Sequence, residues 1–337
     1  MDVKFAFLNG EIQEEVYVMQ PEVYTKREGN EFLIVGVYVD DLLITGSSIR
    51  NIQKFKDQMR SEFDMSDLGK LSYYLGIEVE QRRGSIELKQ TGCAKRLLEK
   101  AGMLESNSTK YPMEPKIQLS KDATGKAVDS TLFKSLVEGL RYLVHTRPDI
   151  SYAVGIVSRF MERPTVQHLN AVKRILCYVN GTLDHGLVYT KNSGSHLLSG
   201  YSDSDLGGDV DDRKSTSGMA FYLSESLITW VSQKQRCVVL SSCEAEFMAA
   251  TAAACLGPVV LYIDNRSAID LAKNPVFHGR SKHIDLRFHF IRECVEKGEV
   301  VIKHIGTEEQ RADILTKALS TAKFERMRDL LGVKKLK

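Results

Sequence analysis

The chain has 337 residues, of which 43% are hydrophobic and 27% charged. That is long for a single average domain and apolar enough for globular cores, which excludes wholesale disorder. The net charge of +2, with a pI near 8.1, is compatible with nucleic acid without arguing for it. Six cysteines form no C-x-x-C pair, so a reducing compartment is expected rather than a disulfide or zinc framework. No stretch has the form of a signal peptide, and no apolar run is long enough to span a bilayer. The expected setting is intracellular, cytoplasmic or nuclear, with no membrane partner.

In chain order, residues 15–20, EVYVMQ, and 31–45, EFLIVGVYVDDLLIT, are β-rich, and the polar stretch between them reads as a turn. The adjacent acids Asp40 and Asp41 are odd inside a strand, where Asp is disfavoured. From Ser48 the spacing of Ile52, Phe55, Met59 and Phe63 predicts a helix. Residues 71–90 read as a hairpin around Arg83-Gly84, and a helix over 92–101 stops at Gly102. Residues 105–130, polar and holding Pro112, Pro115 and Gly125, read as a linker. Residues 131–145 carry Leu132, Phe133, Leu136, Val137, Leu140 and Leu143 on one helical stripe. A second helix runs to about Met161, and a third stops at Asn180-Gly181, so the middle segment is expected to be all helical. From about residue 196 three strands, a helix at 242–255, the strand VVLYID, two helices, the strand EVVIKHI and a last helix from Ala312 predict a mixed α/β domain. The closing KKLK reads as a frayed tail.

Four carboxylates stand out in this last domain. Asp203 lies in its first strand, and Glu246 shares a helix face with Ala249, Ala250 and Ala253. That helix starts at an S-x-x-E capping box, Ser241 and Glu244. Asp264 ends a buried-type strand, and Asp313 opens the last helix. An inward carboxylate costs several kcal/mol unless a cation offsets it. Four hard oxygen donors on four elements suit Mg²⁺ or Mn²⁺, and two such ions can clamp a phosphodiester. The blander alternative makes each acid a cap, a turn or a solvated residue. Arg213, Lys214 and Ser215 in DDRKSTSG could touch a nucleic-acid backbone. His278, His283, Asp285, His289 and Cys294 do not make a zinc site, since only Asp285 and His289 share a helix face cleanly.

The blocks DVKFAFLNGEIQEEVYVMQPE, YVDDLLITG, DLGKLSYYLGIEVE, TRPDISYAVGIVSRFM, SDSDLGGDVDDRKSTSG, LSSCEAEFMAA, DNRSAIDLAKNPVFHGRSKHIDLRFHFIRE and RADILTKAL stand in this order along essentially the whole chain. Together they resemble the polyprotein of copia-type LTR retrotransposons. The resemblance implies an α/β (α+β) chain: a partial reverse-transcriptase palm and thumb over 1–104, a helical thumb and connection over 105–192, a ribonuclease H-like mixed-sheet domain over 193–322, and a tail over 323–337. It implies RNA-directed DNA synthesis and cleavage of RNA in an RNA–DNA hybrid, at two-ion sites for Mg²⁺ or Mn²⁺. Asp2, Asp40 and Asp41 match the polymerase trio, with Asp2 and Asp40 the principal metal ligands. Phe7 matches the residue that blocks a ribose 2′-hydroxyl. Asp203, Glu246, Asp264 and Asp313 match the ribonuclease H metal-binding acids, and Arg280 and Lys282 would lie near the hybrid's phosphates.

Departures from the family set further expectations. The chain begins one residue before Asp2, so that aspartate is expected to lack a strand to hold it. Only residues 3–39 separate it from Asp40, with no helical block bearing a motif like LYGLKQAPRAW. Polymerisation is therefore expected to be lost. The ribonuclease H domain looks trimmed between Cys255 and Val259. It can still close, because a helix of about 14 residues spans about 21 Å and a six-residue strand about 20 Å. Leu206 and Gly92 stand where the family has Trp and Tyr, with an expected loss of about 1–3 kcal/mol each. The alternative to an enzyme is a non-catalytic binder of hybrid or duplex nucleic acid.

Overall fold

The computed structural model describes residues 2–3, 24–28, 31–121, 125–191, 197–254, 259–273 and 282–336, with backbone alone for 2–3, 24–28 and 282–288. It divides into two compact units, residues 1–72 and 73–337. Among the described residues no helix is long and apolar enough to cross a membrane.

Among its described residues, the first unit has a five-stranded sheet and one helix. Its elements are β1 (Asp2–Val3), β2 (Tyr24–Glu28), β3 (Glu31–Tyr38), β4 (Asp41–Gly46), α1 (Ile49–Glu62) and β5 (Met65–Ser66), with the strands in the order β2-β3-β4-β1-β5. The polar stretch read as a turn contains β2, paired with β3 from Tyr24↔Val35 to Glu28↔Glu31. Polar alternation on an outer strand hid it, because one face of an edge strand can be solvated. α1 buries no residue fully, and its stripe of Ile52, Phe55 and Met59 is half-buried.

Among the described residues, the second unit contains two sheets, one long core and two smaller apolar clusters. β6 (Tyr73–Tyr74), β7 (Ile77–Arg82) and β8 (Ser85–Lys89) precede α2 (Thr91–Lys100), which ends at Gly102 with φ +64°. Next come α3 (Ser130–Leu143), α4 (Ser151–Val157), α5 (Val166–Asn180) and β9 (His185–Thr190). α3 buries Phe133, Leu136, Val137, Leu140 and Leu143, but Leu132 is 37% exposed and lies off the stripe. Gly181 after α5 has φ −74°, so it is no left-handed cap. A Cβ there would stand 2.5 Å from that of Ser108, so the close approach is what demands glycine.

β10 (Leu198–Ser204), β11 (Thr216–Leu223), β12 (Ser226–Lys234), α6 (Ser242–Ala254), β13 (Val259–Ile263), α7 (Arg266–Lys273), α8 (Lys282–Glu296) and β14 (Val300–His304) form the mixed α/β portion, and α9 (Thr321–Leu330) and β15 (Val333–Lys335) close the chain. One sheet has the order β12-β11-β10-β13-β14, antiparallel through β10, β11 and β12 and parallel from β10 through β13 to β14. The other has the order β15-β9-β8-β7-β6.

Three expectations change here. The three middle helices are present as α3, α4 and α5, but the helical segment expected over 105–192 also holds a strand, β9, which joins β8. The tail is structural: β15 pairs with β9, and Val333 is fully buried. The linker is packed down, with Met113 and Leu119 buried and Ser120 Oγ donating to Asp211 at 2.7 Å. Residues on both sides of 104, 192 and 322 share a single apolar core, from Leu98 through Leu176 and Tyr222 to Phe324. Beneath it a buried polar knot fixes the connection. Arg147 grips Asp149 through Nε and Nη2 at 3.0 and 2.8 Å, and Tyr178 donates to Asp149 at 2.6 Å. A two-pronged, fully hydrogen-bonded pair of this kind is the form in which buried charge is tolerated.

Candidate metal centre at the ends of two parallel strands

The site begins with register. β10 and β13 run parallel and in step, Ser199↔Val260, Gly200↔Leu261 and Tyr201↔Tyr262. Two residues further on stand Asp203 and Asp264, which therefore emerge on one side of neighbouring strands. α6 lies against β10 and brings Glu246 over that point. Its start is fixed as the sequence suggests. Ser241 Oγ accepts from the Glu244 N–H at 3.1 Å, and the Glu244 carboxylate reaches back to the Leu240 N–H at 2.7 Å.

The result is a cluster of three acids, Asp203, Glu246 and Asp264, whose ligand oxygens lie within 4.8 Å of one another. Asp203 is 1% and Glu246 5% exposed. Burial, then the charges of Asp203 and Asp264, pushes the Glu246 carboxyl up to about 10. Asp203 is also raised, by burial first, with Asp313 and Asp264 adding to it and Lys317 opposing. Glu246 Oε2 is buried without a hydrogen-bond partner. Such an oxygen is costly unless a cation completes it. The cluster, all hard oxygen, fits a small divalent cation such as Mg²⁺.

Asp313 behaves differently. It does not open a helix but sits in a 3₁₀ turn, Arg311–Leu315, ahead of α9. Gln310 directs the chain there: its side-chain oxygen accepts from the Ala312 N–H at 3.3 Å, and its Nε2 donates to Ser202 O at 2.9 Å. Gly218, paired with Asp203, lets the turn press onto β11, since a Cβ there would fall 2.7 Å from Thr316 Cγ2 and 2.9 Å from Ala312 O. Asp313 is fully buried, with Lys317 Nζ 2.8 Å from Oδ1 and Lys323 Nζ 2.7 Å from Oδ2. Lys317 Nζ also lies 3.4 Å from Asp203 Oδ2, to which Thr316 Oγ1 donates a hydrogen bond. Of the four acids read from sequence, three converge, and the fourth is held beside them by lysines. Thr316, Lys317, Lys323, Gln310 and Gly218 escaped the sequence reading. The one signal available was the i, i+4 spacing of Asp313 and Lys317.

Of the residues proposed to meet a nucleic-acid backbone, Ser215 is withdrawn. It is fully buried, and its Oγ accepts from the Gly207 N–H at 3.0 Å. Arg213 is exposed with φ +57°, and Lys214 pairs with Asp212 at 3.5 Å. Arg280 lies outside the described residues, and Lys282 opens α8 by its backbone. Leu206 is 53% exposed and Gly92 is exposed, so neither marks a lost buried aromatic. His289 is exposed and Cys294 buried, so these two do not share a surface.

In the first unit, Asp40 follows Val39 in the two-residue connection between β3 and β4, and Asp41 opens β4, where it pairs with Tyr38. Val39 takes φ +53°, an outlier for a β-branched residue. Asp2 is not left without a scaffold: β1 pairs it with Asp41 on one side and Ser66 on the other. The three acids of the expected trio thus meet at one hairpin end by backbone. Phe7 lies outside the described residues.

A family model described as reverse transcriptase (RNA-dependent DNA polymerase) matches residues 22–115. The retrovirus-related Pol polyprotein from transposon TNT 1-94 of Nicotiana tabacum is 36% identical over 407 residues, covering 99% of this chain and 30% of the polyprotein. The chain belongs to the copia-type retrotransposon Pol family. It spans less than a third of the length of the curated polyproteins it matches. It is also 40% identical to an uncharacterized mitochondrial protein of Arabidopsis thaliana, covering 63% of this chain and 88% of that one. The foamy viral protease-reverse transcriptase, solved in complex with RNA/DNA hybrid, shares the fold with TM-score 0.50 and 11% identity, over 85% of this chain and 37% of that one. The tobacco alignment runs over 407 positions against 337 residues here, so at least 70 positions lack a counterpart in this copia-type chain. It is a partial relative of retrotransposon Pol polyproteins that carries a reverse-transcriptase segment over residues 22–115.

Proposed function

We propose that the second unit cleaves the RNA strand of an RNA–DNA hybrid by metal-assisted hydrolysis, and that DNA synthesis by the first unit is lost. The observation that carries the nuclease reading is the convergence of buried Asp203 and Glu246 with half-buried Asp264 around a carboxylate oxygen that has no hydrogen-bond partner among the described residues. Those three acids would hold Mg²⁺ or Mn²⁺. When bound, the ion would polarise a phosphoryl oxygen and favour an ionised water. The protein's own share is positioning. Register fixes two carboxylates, α6 fixes the third, and Thr316 orients Asp203 through its hydroxyl. Arg213, which is exposed, would touch backbone phosphate without reading sequence.

The polymerase reading differs because of what is missing between its parts. Only residues 3–39 separate Asp2 from Asp40, and they hold no equivalent of the family's nucleotide-holding helical block. Aligned acids without a pocket for template and nucleotide give no effective concentration of reactants.

The test is cleavage of a labelled RNA–DNA hybrid by the purified chain with Mg²⁺ or Mn²⁺, beside Asp264→Asn, together with primer extension on the same substrate. Metal-dependent cutting that vanishes in the variant, with no extension, is expected. Hybrid binding without cutting by a cooperatively folded chain would leave a non-catalytic nucleic-acid binder. Extension would overturn the loss of synthesis.

A further inference from the structure

We infer that Lys317 is a built-in countercation that takes the place of a second metal ion, so that the chain free of nucleic acid carries one divalent ion at this centre and not two. The inference rests on the metal-centre reading above and deepens it.

Three observations lead there. Lys317 Nζ bridges two carboxylates, 2.8 Å from Asp313 Oδ1 and 3.4 Å from Asp203 Oδ2, which is the job a second ion would do. Each Asp313 oxygen already faces a lysine ammonium group, because Lys323 Nζ lies 2.7 Å from Oδ2. Among the described residues, the acids whose oxygens can share one ion are Asp203, Glu246 and Asp264, without Asp313.

Charge balance decides between one ion and two. Asp203, Glu246, Asp264 and Asp313 bring −4 when ionised, while Lys317 and Lys323 bring +2, which leaves −2. One divalent cation neutralises that remainder. Two would leave an uncompensated +2 in a pocket whose acids are mostly buried, where unbalanced charge is penalised heavily. For a second ion to enter, Lys317 must swing out. Its side chain is 39% exposed, so a path to solvent exists, but leaving strips a bridging cation from two buried carboxylates.

The experiment counts Mn²⁺ bound by the full chain without nucleic acid, from the electron paramagnetic resonance signal of the free ion. The wild type is expected to bind one Mn²⁺, and Asp264→Asn to lose it. Lys317→Met is expected to bind two, and Lys317→Arg, which keeps the charge, to stay at one. A purely structural lysine would not move this count. Two ions on the wild type would overturn the inference while leaving the metal centre intact. So would a cooperatively melting Lys317→Met chain that still binds one. No bound ion on the wild type would overturn the inference and the metal centre together. If Lys317→Met does not melt cooperatively, the wild-type count decides alone.

Discussion

The two units carry acids at strand ends, but they surround them with different materials. In the first unit Asp40 is exposed at a hairpin tip. Among its described side chains only Val35 and Met65 are buried apolar residues. In the second, Asp203 and Glu246 are roofed by a helix and floored by a sheet, and the core beneath runs through several sequence segments. Position alone does not make a metal centre. A carboxylate becomes a strong demand for a cation when water is kept from it, and only the second unit does that to its described acids.

The sharpest way to break this contrast is to neutralise one acid on each side. Asp264→Asn is expected to lower hybrid cleavage by on the order of 10²–10³-fold, the scale of losing one preorganised electrostatic contact. Asp40→Asn should leave the cleavage rate unchanged, and a drop there would tie the hairpin to the nuclease. Next in size is the packing difference. Arg147→Ala strands a buried Asp149 and should cost about 3–5 kcal/mol in urea unfolding, taking the nuclease with it because the core is shared. Lys56→Ala in the first unit breaks a partly exposed pair with Asp67 at 3.1 Å and should cost less than about 1 kcal/mol.

A pH titration sharpens the contrast further. Burial, then Asp203 and Asp264, raises the Glu246 carboxyl from 4.5 to about 10. Between those values the folded state keeps a proton that the unfolded chain has released. Metal-free stability is therefore whole below about 4.5 and falls as pH climbs toward about 10. Glu246→Gln should flatten the fall and Asp40→Asn should not, as thermal melts with chelator across that range would show. The smallest effect belongs to the hairpin. Val39→Gly relieves about 1–2 kcal/mol of left-handed strain against about 0.5–1 kcal/mol of added chain entropy. The expected net gain in the first unit's stability lies between zero and about 1.5 kcal/mol.

Local features were legible in the sequence. The hairpin at residues 71–90, the glycine stop after α2 and the buried stripe of α3 each depend on neighbours within a few residues. So was Asp264, because a short apolar run ending in Asp marks a strand end whichever partner it finds, and Asp203 falls inside a segment that reads as a strand. What failed to show depended on distant contacts. His185–Thr190 has little alternation and becomes a strand because β8 and β15 flank it. Met113 and Leu119 look like linker residues until the core receives them. Lys317 reads as one more basic residue, and its role comes from Gly218 letting a turn approach a strand from which it is far removed in sequence.

The pairing of β15 with β9 also sets an order of events in time. His185–Thr190 is made long before Val333–Lys335, and β9 has one open edge throughout that interval. Loop closure over such a separation is slow, and an unpaired edge recruits other strands meanwhile. A chain emerging from the ribosome therefore holds an unfinished sheet until Val333–Lys335 is made, and its yield should rise when synthesis of the stretch between the two strands is fast.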